Sequence, residues 1–207
     1  MYRSPEQKAA FEQYVVEDIA EREKTGETLA ESVLRMRREW VEADVKSAKL
    51  REEGNTAFRN GDYKAAYVLY TACTCLCSHD PLYFLNRAAV ALKLKLYRSA
   101  VEDATDALEQ GDFNPAKALF RRAQGRSFLG DWVEAEEDYT QALGLQPGDR
   151  SILNGVEELK RLRSLSADEQ VAWISEQGNL TLPDIFEGGE PEFKRRVEEI
   201  LGHPVPE

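Results

Sequence analysis

Two pairs of nitrogen-bearing side chains stand one helical turn apart in the sequence. Arg51 precedes Asn55 by four residues, and Lys117 precedes Arg121 by the same interval. If each pair lies on a helix, its two side chains share one face. Guanidinium, ammonium and amide groups donate hydrogen bonds to carboxylates, and each charge-assisted bond contributes roughly 1.5 to 3 kcal/mol. The spacing therefore indicates a site for a pair of carboxylates, provided that the fold brings the two helices together.

Residues for catalysis or metal binding are scarce. The chain has two histidines, His79 and His203, and their positions favour no acid–base pair or triad. Cys73, Cys75 and Cys77 fall on one predicted helix, where Cys75 points away from the other two, unlike the ligands of a zinc site. We interpret the cysteines as core residues of a protein from a reducing compartment. The sequence predicts no enzyme, no cofactor and no metal site.

The composition restricts the class of partner. A net charge of −11 over 207 residues argues against nucleic acid, whose binding needs clustered cations. No apolar run approaches the ~20 residues that cross a bilayer, and the N-terminus has no apolar signal-peptide core. We expect a cytoplasmic protein that binds neither nucleic acid nor membrane.

One sequence pattern occurs three times, in copies that begin at Ser47, Pro81 and Ala116. The copies align on small, aromatic and alanine columns, and the alanine column steps by 34 and then 35 residues. The extra residue falls near Gly111 to Pro115, which is predicted to be a loop. The columns are Gly54, Ala88 and Ala123; Tyr63, Tyr97 and Trp132; Ala66, Ala100 and Ala135; Tyr70, Ala104 and Tyr139; and Cys73, Ala107 and Ala142.

This pattern resembles the tetratricopeptide repeat (TPR), whose unit of 34 residues forms two antiparallel helices, A and B. The resemblance implies an all-α fold, a right-handed α-solenoid of three helix hairpins over 47–80, 81–115 and 116–149. Small columns let the helices approach closely, and the aromatics fill the space between units. Asn60-Gly61-Asp62 and Gly130-Asp131 predict the A-to-B turns, whereas the second copy has the weaker signal Lys95-Leu96.

Segments on both sides of the repeats also read as helices. Residues 150–165 predict a capping helix that covers the solenoid end, with Ile152, Val156, Leu159 and Leu162 on one face. Residues 166–207 predict a C-terminal helical extension. The flanks either pack on the solenoid ends or form an amphipathic element that docks a second partner.

Residues 1–46 predict an N-terminal helical extension. Its first helix carries Phe11, Tyr14, Val15 and Ile19 on one stripe, and Thr28 with Glu31 forms a capping box for the second. That second helix either runs unbroken into helix A of the first repeat or stops before a new helix capped by Ser47.

Basic and acidic residues fall on different helices of the repeats. The third helix A carries Lys117, Arg121, Arg122 and Arg126 and no acid, whereas its helix B sums to −5. The second copy repeats the division. Because A helices line the concave face of such a solenoid, the count predicts a positive concave groove on an acidic protein. Lys117 and Arg121 are expected to project from this groove into solvent.

The segments around Arg51, Asn86 and Lys117 resemble the carboxylate-clamp class of TPR co-chaperones. The resemblance implies that Asn55 and Asn86, with the basic residues Arg51, Lys117 and Arg121, hold the terminal aspartate of a Glu-Glu-Val-Asp tail, as on heat-shock proteins 70 and 90. The family more often has lysine at the first basic position, so Arg51 changes the geometry but keeps the charge.

Two further residues and two other functions complete the hypothesis. Phe58 and Lys93 are predicted to face the groove and select upstream tail residues, although Phe58 fits core packing equally well.

The alternative function is a general scaffold that binds an internal peptide or helix of its partner. A third hypothesis, the docking domain of a larger enzyme, is disfavoured because the remaining segments are too short for a phosphatase or isomerase domain.

Overall fold

The computed structural model describes residues 5–111 and 115–205, and within these residues the regular secondary structure is α-helical, with no strand. The helices are α1 (Pro5–Thr25), α2 (Leu29–Arg59), α3 (Tyr63–Leu76), α4 (Pro81–Lys93), α5 (Tyr97–Gln110), α6 (Pro115–Leu129), α7 (Trp132–Leu145), α8 (Arg150–Arg163), α9 (Ala167–Gln177), α10 (Leu182–Ile185) and α11 (Gly189–Leu201). They belong to two compact units, Met1–Val45 and Lys46–Glu207. In the described part of the chain, no helix is long and apolar enough to span a membrane.

The first unit is a helical hairpin. Gly26, at φ +74°, ends the turn after α1, and Thr28 and Glu31 form the predicted reciprocal cap at the start of α2. A polar cluster joins the two helices, because Asp18 accepts hydrogen bonds from Ser32 at 2.7 Å and Arg22 at 2.8 Å. The predicted apolar stripe on α1 is weaker than expected: Tyr14 and Ile19 are exposed. The side chain of Phe11 lies outside the described residues.

Helix α2 runs without a break through Ser47, so the alternative of a new helix at this residue is wrong. Ser47 is fully buried, and its hydroxyl lies 2.9 Å from the Tyr83 hydroxyl. A serine there acts as a buried tertiary contact rather than as a helix cap. From Lys46 onward α2 is helix A of the first repeat.

Three A/B hairpins follow, α2 with α3, α4 with α5, and α6 with α7. Each helix B begins at a residue of the aromatic column, Tyr63, Tyr97 or Trp132. The alanine column is completely buried, which lets paired helices approach closely. Gly54 illustrates the fit, since a Cβ atom at this position would lie 2.9 Å from the Tyr70 ring. The chain therefore forms an α-solenoid of stacked hairpins.

The A-to-B turns share one backbone conformation. Gly61 and Gly130 have φ values of +80° and +89°, and Lys95 occupies the same place in the second repeat at φ +61°. Among the described residues, Lys95 is the one non-glycine with positive φ. The turn of the second repeat therefore keeps the same backbone shape without a glycine, and Lys95 is sterically strained as a result. The loop predicted to absorb the extra residue includes 112–114, which lie outside the described residues.

Helix α8 packs on the third repeat like the helix A of a further unit. Asp149 caps it, and Ile152, Leu159 and Leu162 are buried. Gly155 permits close contact with α7, because an added Cβ would lie 2.6 Å from the Tyr139 ring. This helix occupies the position expected for a cap over the apolar end of the solenoid.

The C-terminal segment returns from the third repeat to the first. Ser166 and Glu169 form the expected capping box of α9, and Trp173 stacks on Phe128 of α6 with ring centroids 5.8 Å apart. The Leu180 amide then donates to the Lys95 carbonyl at 3.0 Å, in the α4–α5 turn. Helix α11 packs against α3. This path follows the side of the repeats and not only their end.

Candidate functional site

The five residues predicted to bind a carboxylate lie on three successive A helices. Arg51 and Asn55 are on α2, Asn86 is on α4, and Lys117 and Arg121 are on α6. We call these five residues the clamp cluster. Tyr70 of α3 lies near three of them: its hydroxyl donates to Asn55 Oδ1 at 2.7 Å, and the charges of Arg51 and Arg121 act on it. Burial raises the pKa of Tyr70 to about 12, against the opposing charges of Arg121 and Arg51.

Arg121 is a partly buried cation without a counterion. Its guanidinium donates to the carbonyl oxygen of Leu85, next to Asn86, and thereby joins α6 to α4. Throughout residues 5–111 and 115–205, no carboxylate lies within ion-pair distance of Arg121. Burial lowers the pKa of Arg121 to about 10, which reports the cost of holding this charge away from water. The expectation that Arg121 projects freely into solvent is therefore wrong.

Asn55 is held with its amide donor directed away from Tyr70. Because its Oδ1 atom accepts from the Tyr70 hydroxyl, its Nδ2 group points outward and contacts Glu52 Oε1 at 3.3 Å. The same Glu52 carboxylate lies 3.3 Å from the Arg51 guanidinium. Glu52 is exposed, so an incoming carboxylate can replace it on both donors. Sequence reasoning assigned no site role to Tyr70 or Glu52, although Tyr70 stood in a repeat column.

Two other members of the cluster have unused donors. Asn86 is half-buried, and its amide makes no hydrogen bond within the described part of the chain. Lys117 is exposed and, within the same residues, has no ion-pair partner. A half-buried amide normally finds a hydrogen-bond partner, so Asn86 has a donor available for a ligand.

The two flanking candidates lie farther along the same helices. Phe58 is half-buried, and its ring contacts Tyr63 edge-on across the α2–α3 turn at 5.4 Å. Lys93 is exposed in the last turn of α4. Contact with tail residues stays a prediction for both, and the packing of Phe58 agrees with the structural alternative.

The concave face carries less unpaired positive charge than the count of basic residues on the A helices predicts. Arg87 binds both oxygens of Asp103 at 2.6–3.0 Å, and Arg122 and Arg126 both bind Asp138, at 2.7 Å for their shortest contacts. Asp103 and Asp138 belong to B helices, so these arginines neutralise buried acids between helices. The charge count by helix failed because neighbours such as Arg121 and Arg122 point about 100° apart around the axis.

Open space adjoins the basic end of the cluster. A cavity of about 180 Å³ between α6 and α8 is lined by Lys117, Arg121, Phe120, Ser151 and Ile152, among others. A second cavity of about 630 Å³ continues past Phe120 and Ser151 towards Trp173 of α9. The room beside Lys117 and Arg121 suffices for peptide side chains.

The cysteines and acids offer no metal site in the part of the chain that the structure covers. Cys73 and Cys77 are buried and Cys75 is half-buried, and none of the three is in a disulfide. Burial raises the pKa of Cys73 to about 12 and also raises that of Cys75, so these thiols are poor nucleophiles at neutral pH.

The chain is similar to known proteins in sequence and in structure, although no family model matches it. The chain is 37% identical over 134 residues to protein unc-45 homolog B of Mus musculus, a match that covers 62% of this chain and 14% of that protein. The chain thus spans about a seventh of the length of this relative.

Solved structures match the repeat region. The second TPR domain of human RPAP3, in complex with the HSP70 peptide SGPTIEEVD, has a TM-score of 0.54 and 30% identity, over 57% of this chain and 98% of that domain. The first TPR of Spaghetti (RPAP3), bound to the HSP90 peptide SRMEEVD, has a TM-score of 0.55 and 28% identity, over 58% of this chain and 94% of that one. Together with the buried repeat columns and the stacked A/B hairpins, these matches show that the chain belongs to the tetratricopeptide-repeat family.

Proposed function

We propose that this chain is a co-chaperone adaptor that binds the free C-terminal carboxylate of an acidic chaperone tail on its clamp cluster. The tail is of the EEVD type found in the HSP70 and HSP90 peptides bound to its structural neighbours. We also propose that it acts by binding rather than catalysis, and in the cytoplasm, where its buried thiols stay reduced.

The uncompensated charge of Arg121 carries this proposal. A partly buried cation without a carboxylate destabilises the free protein, because its solvation is lost and no ion pair replaces it. The other buried arginines of the A helices, Arg87 and Arg122, each have an aspartate. A ligand carboxylate at Arg121 would supply the missing counterion, and the exposed Lys117 one turn away would add a second attraction.

The amides of the cluster favour an anionic group such as a carboxylate over a neutral group. Asn55 presents Nδ2 outward because Tyr70 fixes its oxygen, and Asn86 adds an amide that has no hydrogen-bond partner among the described residues. Two planar donors with a guanidinium fork suit the geometry of a carboxylate, which needs several directed N–H groups. On binding, the tail would take the place of Glu52 at Arg51 and Asn55.

Binding free energy should lie near −8 kcal/mol, on the order of a micromolar dissociation constant. The test is calorimetric titration with the peptides SGPTIEEVD and SRMEEVD, each with a free and an amidated C-terminus. We expect the free acids to bind at least about tenfold more tightly than the amides, equivalent to about 1.4 kcal/mol. Equal affinity for both forms would instead support a scaffold that binds internal peptides.

A charge reversal at Lys117 tests the site. Lys117→Glu replaces an exposed cation that makes no ion pair within residues 5–111 and 115–205, so folding should be unchanged and peptide affinity should fall at least about tenfold. The matched control is Lys64→Glu on α3, which changes the net charge equally at an exposed lysine outside the cluster. Equal weakening by both variants would mean that only the net charge matters, and the proposed site would be wrong.

A further inference from the structure

A groove between α6 and α8 leads away from the basic end of the clamp cluster. The cavity of about 180 Å³ beside Lys117 and Arg121 and the larger cavity of about 630 Å³ are both lined by Phe120 of α6 and Ser151 of α8. The two cavities are therefore continuous. We call them together the α6–α8 groove, whose near end is at Lys117 and whose far end is at Trp173 of α9.

The α6–α8 groove follows one stripe of each helix. The α6 stripe is Lys117, Arg121, Gln124 and Phe128, and the α8 stripe is Ser151, Asn154 and Glu158. Because successive residues of a helix turn by about 100°, the members of each stripe fall within about 60° of one another. From Lys117 to Phe128 the α6 stripe extends over about 16 Å.

A tail held at the clamp cluster is long enough to reach the far end of this groove. In the peptide SRMEEVD the methionine precedes the terminal aspartate by four residues and the arginine precedes it by five. An extended chain advances by about 3.3 Å per residue, so these two residues lie roughly 13 and 16 Å from the aspartate. With the aspartate at Lys117 and Arg121, they come level with Phe128.

The far end differs in chemistry from the near end. Four aromatic residues line the larger cavity: Phe120, Phe128, Tyr139 and Trp173. Among the described residues, Glu158 is the one charged residue that lines it, whereas Lys117 and Arg121 line the near end. The groove therefore changes from basic to acidic along its length. The tail SRMEEVD changes in the opposite sense, from its terminal acids to an arginine, whereas SGPTIEEVD has a threonine at that place.

Glu158 can accept a guanidinium from a ligand. Its carboxylate binds Arg161 of the same helix at 2.7 Å, and the two side chains are 52% and 53% exposed. An ion pair this exposed contributes little, and a carboxylate has acceptor sites for more than one guanidinium. Asp138 of the same chain binds both Arg122 and Arg126. A second arginine at Glu158 therefore requires no loss of the first.

We propose that the far end of the α6–α8 groove makes this chain select tails of the SRMEEVD type over tails of the SGPTIEEVD type. Glu158 pairs with the arginine of the tail, and the methionine packs among the aromatic rings beside Phe128 and Trp173. Because Glu158 and Trp173 belong to α8 and α9, helices outside the three repeats determine the choice of chaperone. This inference rests on the proposed function, since the clamp cluster sets the position of the tail in the groove.

Calorimetric titration with four peptides that have free C-termini tests the preference. SRMEEVD should bind at least about fivefold more tightly than SGPTIEEVD. Replacing its arginine by alanine, in SAMEEVD, should weaken binding at least about threefold. Placing an arginine in the other tail, in SGPRIEEVD, should strengthen binding by a similar factor, because the new guanidinium reaches Glu158.

A neutral variant of the protein tests the residue. Glu158→Gln should remove the gain that an arginine gives in both pairs of peptides and leave the affinity for SGPTIEEVD within about twofold of the wild type. The matched control is Glu157→Gln, which removes the same charge at an exposed neighbour that does not line the groove. Circular dichroism should show the same helix content for both variants, since both residues are exposed.

The outcomes separate this inference from the proposed function. Lys117→Glu should weaken all four peptides alike, whereas Glu158→Gln should weaken the two that contain arginine. Equal affinity for SRMEEVD and SGPTIEEVD, or a preference that survives Glu158→Gln, would overturn the role of the groove and leave the clamp cluster standing. Peptides that bind equally well with amidated C-termini, or that do not bind, would overturn the proposed function and this inference with it.

Discussion

The variant Arg87→Ala tests whether the buried arginines stabilise the repeats or bind ligand. Arg87 directly follows Asn86, yet its guanidinium holds the Asp103 carboxylate at 2.6–3.0 Å and donates to Thr74 at 2.9 Å. The Asp103 side chain is 4% exposed. No other cation within the described residues pairs with it. Arg87→Ala therefore leaves a buried carboxylate alone between two repeats.

The expected loss is large. Removing one partner of a buried ion pair costs about 3–5 kcal/mol, because the remaining charge keeps its desolvation penalty. In a protein of this size, each kcal/mol lowers the melting temperature by roughly 2–4 °C, so Arg87→Ala should melt about 6–20 °C below the wild type. Arg87→Met combined with Asp103→Leu should recover most of this loss, since neither variant residue buries an unpaired charge.

Thermal and urea unfolding, followed by circular dichroism, measure the effect. Peptide titration at 10 °C, where the variant is folded, measures binding. Arg87→Ala should bind the tail peptide normally, whereas the neighbouring Asn86→Ala should bind at least about tenfold more weakly and change stability by less than about 1 kcal/mol. An Arg87→Ala variant that melts like the wild type, or that is folded but cannot bind, would refute this division of roles.

Three further outcomes are expected. Lys95→Gly should raise the free energy of unfolding by about 0.5–1 kcal/mol in urea titrations, because glycine relieves the strain at positive φ more than it loosens the unfolded chain. Gly54→Ala should lower it by about 1–3 kcal/mol and weaken tail binding, because the added methyl displaces the Tyr70 ring that orients Asn55. At pH 8 the Cys73 thiol, whose pKa burial raises to about 12, should stay protonated and react with Ellman's reagent only after unfolding in urea; rapid reaction of the native protein at this residue would contradict the packing of α3.

The repeat columns predicted the fold well because each reports a short-range requirement. Tyr63, Tyr97 and Trp132 mark helix starts, and an alanine in a close helix contact is recognisable without knowing its partner. Lys95 shows the limit of turn signals: a lysine adopted the glycine conformation because the flanking helices impose the turn. Ser47 likewise looked like a cap, but its burial against Tyr83 depends on a residue far along the chain.

The candidate site was harder to predict than the fold. The five members of the clamp cluster came from spacing and from resemblance, and their roles stay predictions. Sequence alone did not reveal that Arg122 binds Asp138 while Arg121 pairs with no acid of the described chain, because the difference depends on helix rotation and on a partner sixteen residues away. The contribution of Tyr70 to Asn55 was missed for the same reason: it joins two helices by a single hydroxyl.

The return of the C-terminal segment to the first repeat alters how this solenoid should fold. In a simple repeat array each unit touches only its neighbours, so contacts are local and the ends fray independently. Here Lys46 donates to the Leu201 carbonyl, and Phe193 packs on Tyr67, across more than a hundred residues of chain. During synthesis the first hairpin leaves the ribosome long before α11 exists to cover α3. The apolar surface of α3 therefore stays exposed in the nascent protein until α11 has been made and packs against it. The contacts of α11 with the first repeat then make unfolding cooperative.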